Sequence, residues 1–139
     1  MWYNNFTLHP KGVLIMNIPT KSFFTKVVGV TFPNASGLSR QDVLHNLQSQ
    51  INSGHSPAIK LFRDSNNPFD NQAVAVMDEQ DQQIGFLSKS VVKTIAPILD
   101  SSLPVTVTIS QITGGYHKHL GMNIKIEYCP LESNLQIPF

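Results

Sequence analysis

Three patterns point to a mostly β domain with two helices (α+β), built as a small curved sheet or a partly open barrel. The chain has several short runs of branched and aromatic residues, two longer amphipathic segments between them, and no repeat of strand, helix and phosphate-binding loop. The first run, FFTKVVGVTF from Phe23 to Phe32, is rich in residues that pack well on a pleated surface, and Gly29 within it marks a bulge or a close backbone approach. PNASG ends it. Ser39 and Asp42 have the spacing of a capping box and open a helix whose apolar face carries Val43, Leu44, Leu47 and Ile51, with Gly54 as its stop. The segments AIKLF and AVAVMD read as strands on either side of a polar turn, and QQIGFL follows as a third beyond the acidic turn Asp78 to Asp81.

Ser88 then caps KSVVKTIAPILD, where Val91, Val92, Ile95, Ile98 and Leu99 share a helical face and Pro97 should kink the helix or start a new turn. The last two strands alternate most strictly: Val105, Val107 and Ile109 with Thr106, Thr108 and Ser110, and Met122, Ile124, Ile126 and Tyr128 with Asn123, Lys125 and Glu127. GGYHKHLG joins them as an exposed hairpin. Residues 1–20 carry Pro10, Gly12 and Pro19 around one short apolar run and read as an N-terminal arm with one edge strand, which leaves 21–129 as the domain and 130–139 as a C-terminal tail.

A chain of 139 residues fits one domain, and 41% hydrophobic against 14% charged residues describes a folded, polar but weakly charged protein. Ten Lys and Arg against nine Asp and Glu give a net charge of +1, which excludes an affinity built mainly on neutralising many phosphates. Any nucleic-acid contact must be local. Asp64, Asp70, Asp78, Glu79 and Asp81 fall within eighteen residues and would repel a phosphate backbone laid along them. Cys129 is the only cysteine, so there is no disulfide framework or CxxC knuckle, and a reducing compartment is expected. Val13 to Ile18, the longest apolar run near the start, is too short to span a membrane and lacks a signal peptide's flanks, so a cytoplasmic location is expected.

No catalytic signature stands out: there is no G-x-S-x-G, Walker loop or H-E-x-x-H, and Cys129 precedes Pro130 with no evident base. A non-catalytic protein without cofactor is the expectation. His117 and His119 lack a third ligand for zinc and read as exposed loop histidines. Asp64, Asn66 and Asp70 hint at a calcium loop, but Pro68 and Phe69 displace its ligand and glycine, and Ala75 stands where a bidentate acid is needed.

The turn RDSNNPFDNQAVAV, Arg63 to Val76, carries an aromatic that its geometry does not require. Asn67, Pro68, Asp70 and Asn71 suffice to turn the chain. Phe69 is therefore either a packed loop anchor or a ring held out to touch something flat. In the second case Phe69 and Phe32, framed by Asn67 and Asp70, could hold a nucleobase.

The pattern VVGVTF…AIKLFRDSNNPFDNQAVAV…QIGFLSKSVVKTIAPILD resembles, over about residues 24–128, the HIRAN domain, found at the N-terminus of some fork-remodelling helicases and as a standalone bacterial or phage module. The resemblance implies an OB-like, modified barrel and, from the helicase versions, binding of the 3′ end of single-stranded DNA. It places the end-reading roles on the turn: Phe69 on the terminal nucleotides and Asp70 on the 3′ hydroxyl, with Asn67 in the same motif. A free hydroxyl donates to a carboxylate, whereas a 3′ phosphate sets charge against it.

Where DNA-binding members carry an arginine and aromatics after the first strand's glycine, this chain has Thr31, Phe32 and Pro33, so one ring is kept and the basic clamp is lost. The phosphate-gripping lysine after the Gly-x-Leu step is Ser88 here, with Lys89 next to it at a helix N-terminus that offers backbone donors. Arg63, Lys89, Tyr116 and Lys118 are the expected compensating contacts. The function so implied is recognition of single-stranded DNA at a free 3′ hydroxyl, in repair or fork processing, alongside a separate helicase or nuclease and without a membrane. The alternative is a protein-interaction scaffold or accessory subunit that has lost DNA binding. Ile137, Pro138 and Phe139 match the tip of bacterial single-strand-binding proteins, but only Glu132 remains of the acidic run that precedes such tips, so a plain tail is expected.

Overall fold

The computed structural model describes residues 20–131 in full and, before them, the backbone of two short strands. Strands β1 (Phe6–Leu8) and β2 (Leu14–Met16) pair antiparallel with each other, Phe6 opposite Met16, so the arm holds a two-stranded sheet where one edge strand was expected. Turn-forming Pro10 and Gly12 lie between them in sequence. The Ile-Pro-Phe end lies outside the described residues.

The domain has two antiparallel three-stranded sheets. One runs β3 (Lys21–Lys26), β8 (Gly121–Tyr128), β7 (Val105–Thr113), and the other β4 (Ile59–Arg63), β5 (Val74–Asp78), β6 (Gln83–Phe86). The alternation in β8 sends Met122, Ile124 and Ile126 into the core, where they meet Val74 and Val76 of β5 and Ile84 of β6. The sheets join at one seam: the Val28 N–H donates to the Phe86 carbonyl at 2.9 Å, and the Phe86 N–H returns a bond to Val28 at 2.8 Å. Gly85 makes this seam possible, since a Cβ there would lie 2.3 Å from the Val28 carbonyl oxygen. On the far side β4 and β7 approach without a hydrogen-bonded ladder, and the barrel stays open there.

The first strand is shorter than its composition suggested. β3 stops at Lys26, and Val28 adds only the seam. The reason is Gly29, whose φ of 74° turns the chain left-handed and allows the Phe32 N–H to close on the Gly29 carbonyl at 3.3 Å. Phe32 is thereby lifted from the sheet into a turn.

Helix α1 (Arg40–Asn52) packs Val43, Leu44 and Leu47 into the core against the β6 side of the barrel. Ser39 caps it, but through the Gln41 N–H at 3.2 Å, and among the described residues no side-chain bond returns from Asp42. At the other end Gly54 adopts a φ of 88°, with the His55 N–H on Gln50 and the Gly54 N–H on Ile51, the paired bonds of a Schellman stop. Ile51 was expected on the buried face; it is exposed instead, because the last turn overhangs the open side of the barrel beside Ile59 and Ile109.

Helix α2 (Lys89–Asp100) buries Val92, Ile95, Ala96 and Ile98 and runs through Pro97 as one element. Val91 and Leu99 are only partly buried against the same core. Among the described residues no helix is long and apolar enough to cross a membrane.

Candidate nucleic-acid interface

Four chain segments meet around an open groove of about 820 Å³. They are the turn after β3 (Val28, Gly29, Phe32), the start of α1 (Arg40), the loop between β4 and β5 (Asn67, Pro68, Phe69, Asp70, Ala73), and the step from β6 into α2 (Phe86, Leu87, Lys89). The walls are mostly apolar. Among the lining residues two cations and one carboxylate are charged.

The loop is held by its own polar residues. Asn67 Oδ1 accepts from the N–H groups of Phe69 (2.9 Å) and Asp70 (3.1 Å), while its Nδ2 donates to Asp64 at 3.1 Å. Asp70 Oδ1 accepts from the Gln72 N–H at 2.9 Å, and its backbone carbonyl takes the Ala73 N–H at 3.0 Å. Asn67 thus spends its side chain on shaping the turn, whereas Asp70 Oδ2 has no hydrogen-bond partner among the described residues. The ring between them is not an anchor: Phe69 is 93% exposed at the groove rim. Phe32 faces the same groove and is 63% exposed.

Arg63 closes the base of this loop rather than lining the groove. Its guanidinium forks onto Asp100, the last residue of α2, at 3.0 and 3.3 Å, and its Nη1 donates to the carbonyls of Asn71 (2.6 Å) and Ala73 (3.4 Å). Of the other residues singled out from sequence, Lys89 lines the groove at the first position of α2, and Ser88 beside it is the cap, its Oγ accepting from the Val91 N–H at 3.4 Å. Tyr116 and Lys118 sit on the β7–β8 hairpin and do not line the groove; Tyr116 stacks edge-on with His117 at 4.6 Å.

Among the lining residues not anticipated, Phe86 and Arg40 bear most on binding. Phe86 forms part of the wall beside the seam, and Arg40 lies over its ring, 5.4 Å from the centroid. Arg40 also pins the turn that carries Phe32, donating from Nη1 to the Gly29 carbonyl and from Nε to Asn34 Oδ1, both at 2.8 Å. Its neighbour Gln41 reinforces the arrangement by donating to Val30 and exchanging two bonds with the Leu120 backbone. The only signal for Arg40 in the sequence was its place directly after the cap; for Phe86 it was the Gly-Phe step. Among the described residues no group of three or more His, Cys, Asp or Glu side chains is placed to hold a metal ion.

A small partly open barrel with an aromatic-rimmed groove defines a binding module. The HIRAN domain family model matches residues 20–128, and the chain belongs to that family, which is known as a DNA-binding and not a catalytic module. Among solved structures the chain is similar to the HIRAN domain of human HLTF, with 19% identity and a TM-score of 0.52 over 82% of this chain and 80% of that one. It is also similar to a Lactobacillus plantarum protein solved as a structural genomics target, with 16% identity and a TM-score of 0.53 over 79% and 99%. At these identities the likeness is one of fold. Comparison with curated proteins gives no match.

Proposed function

We propose that this groove binds single-stranded DNA by its 3′ end. The exposure of Phe69 is the observation that carries the reading. An aromatic ring that contributes almost nothing to the core, set on a loop fixed by four side-chain-to-backbone and side-chain bonds, is a surface prepared for a flat partner. Phe32 offers a second face across the groove. Asp70 Oδ2, which has no partner among the described residues, accepts a hydrogen bond from a terminal hydroxyl and repels a phosphate in the same place, so the carboxylate favours a free end over an internal nucleotide. Lys89, at the first turn of α2, supplies positive charge beside the entering backbone.

The chemistry is recognition only, and a strand processed in repair or at a fork would be handed to a separate helicase or nuclease. Fluorescence anisotropy with one sequence in two forms tests the proposal: the linear oligonucleotide binds, and the covalently closed circle binds much more weakly. Equal affinities would remove the end-reading role. No binding of either form would remove the DNA role and leave a scaffold for protein partners.

A further inference from the structure

We propose that Arg40 is a phosphate-contacting cation of the groove, receiving the terminal phosphodiester of the strand whose end lies against Asp70. This rests on the reading of the groove as a single-stranded DNA site. Arg40 is only 7% exposed, yet neither ion pair of the described residues includes it. A guanidinium removed from water without a counter-ion is costly unless its donors are used or an anion arrives.

Two of its donors are used, Nε on Asn34 and one Nη1 hydrogen on Gly29. Among the described residues Nη2 has no acceptor. Among the described residues no buried side-chain nitrogen lacks a partner, so Nη2 is reached by solvent, and the side chain lines the groove. The Phe86 ring beneath the guanidinium and the Asn34 amide beside it, itself tied to the Gln83 carbonyl at 3.0 Å, fix the direction in which the free edge points. Among the described residues Arg40 and Lys89 are the cations lining the groove, and of these Arg40 alone has its side chain held by hydrogen bonds. Such a fixed fork suits a phosphate, whose oxygens accept two parallel donors.

The test is a titration of linear oligonucleotides in which a neutral methylphosphonate replaces one linkage at a time from the 3′ end, on the wild type, Arg40→Lys and Arg40→Gln. Neutralising one linkage should weaken wild-type binding roughly 10- to 100-fold, the range of a charge-assisted hydrogen bond. Arg40→Gln should bind the unmodified strand more weakly by a similar factor and lose its sensitivity to that same linkage. Arg40→Lys keeps the charge without the fork, so it should fold even if the glutamine variant does not, and should show a reduced response at that linkage. A purely structural Arg40 would lower every affinity alike and leave the linkage response intact, which would overturn the assignment. If the wild type binds the unmodified strand but responds to no linkage, the assignment also falls while the DNA reading stands. If the wild type binds no strand at all, both fall together.

Discussion

Replacing Phe69 with alanine separates the folding role of the ring from its binding role. A fully buried phenylalanine stabilises a fold by about 1.5–3 kcal/mol through apolar burial. Phe69 keeps 93% of its exposure, so scaling the upper value by the remaining 7% leaves about 0.2 kcal/mol. Backbone bonds to Asn67 hold the turn, and these survive the substitution. The melting temperature should therefore move by less than about 2 °C. A base stacked on an aromatic side chain contributes about 1–3 kcal/mol, so affinity for single-stranded DNA should fall roughly 5- to 150-fold. Differential scanning calorimetry and anisotropy on the same preparation read the two quantities. A stability loss of about 3 kcal/mol or more, the cost of deleting a packed phenylalanine, would refute the reasoning from exposure. An unchanged affinity would refute stacking.

Gly85→Ala should cost about 1–3 kcal/mol in urea denaturation, because its Cβ would collide with the Val28 carbonyl and force the seam apart. DNA binding should weaken with it, since that seam sets Val28 beside Phe86 in the groove. Arg63→Ala should cost about 1–2 kcal/mol by loosening the partly exposed fork onto Asp100 and the loop carbonyls, and Asp100→Asn should lose part of the same amount. Lys89→Ala should weaken binding to all sequences equally and lower the slope of log affinity against log salt by about 0.7. Tyr116→Ala and Lys118→Ala should leave affinity unchanged, since neither residue lines the groove.

What the sequence made legible was local periodicity and its stops. The alternation of β7 and β8, the apolar face of α1 up to Leu47, and the caps at Ser39 and Ser88 all appear in the structure, because each depends on residues a few positions apart. The overhang of Ile51 depends on where α1 ends relative to a barrel opening, which no helical period encodes. The turn motif marked Asn67, Phe69 and Asp70, but a loop residue has no period to tell exposure from burial, so Phe69 had two readings until its surroundings were known. Arg63, in an Arg-acid pair, read as a contact for a ligand; its actual acceptors lie eight, ten and thirty-seven residues away. Arg40 and Phe86 were missed for the same reason: the groove gathers four separated segments, and a sequence shows that they exist, not that they meet.

The most direct measurement of end recognition is a paired titration of one short oligonucleotide carrying either a 3′ hydroxyl or a 3′ phosphate, with a 5′-phosphorylated strand as the charge-matched control. Loss of the hydroxyl bond to Asp70 should weaken binding of the 3′-phosphorylated strand roughly 10- to 100-fold, while the 5′-phosphorylated strand binds like the unmodified one. Equal affinity for the two 3′ ends would contradict an end-reading carboxylate.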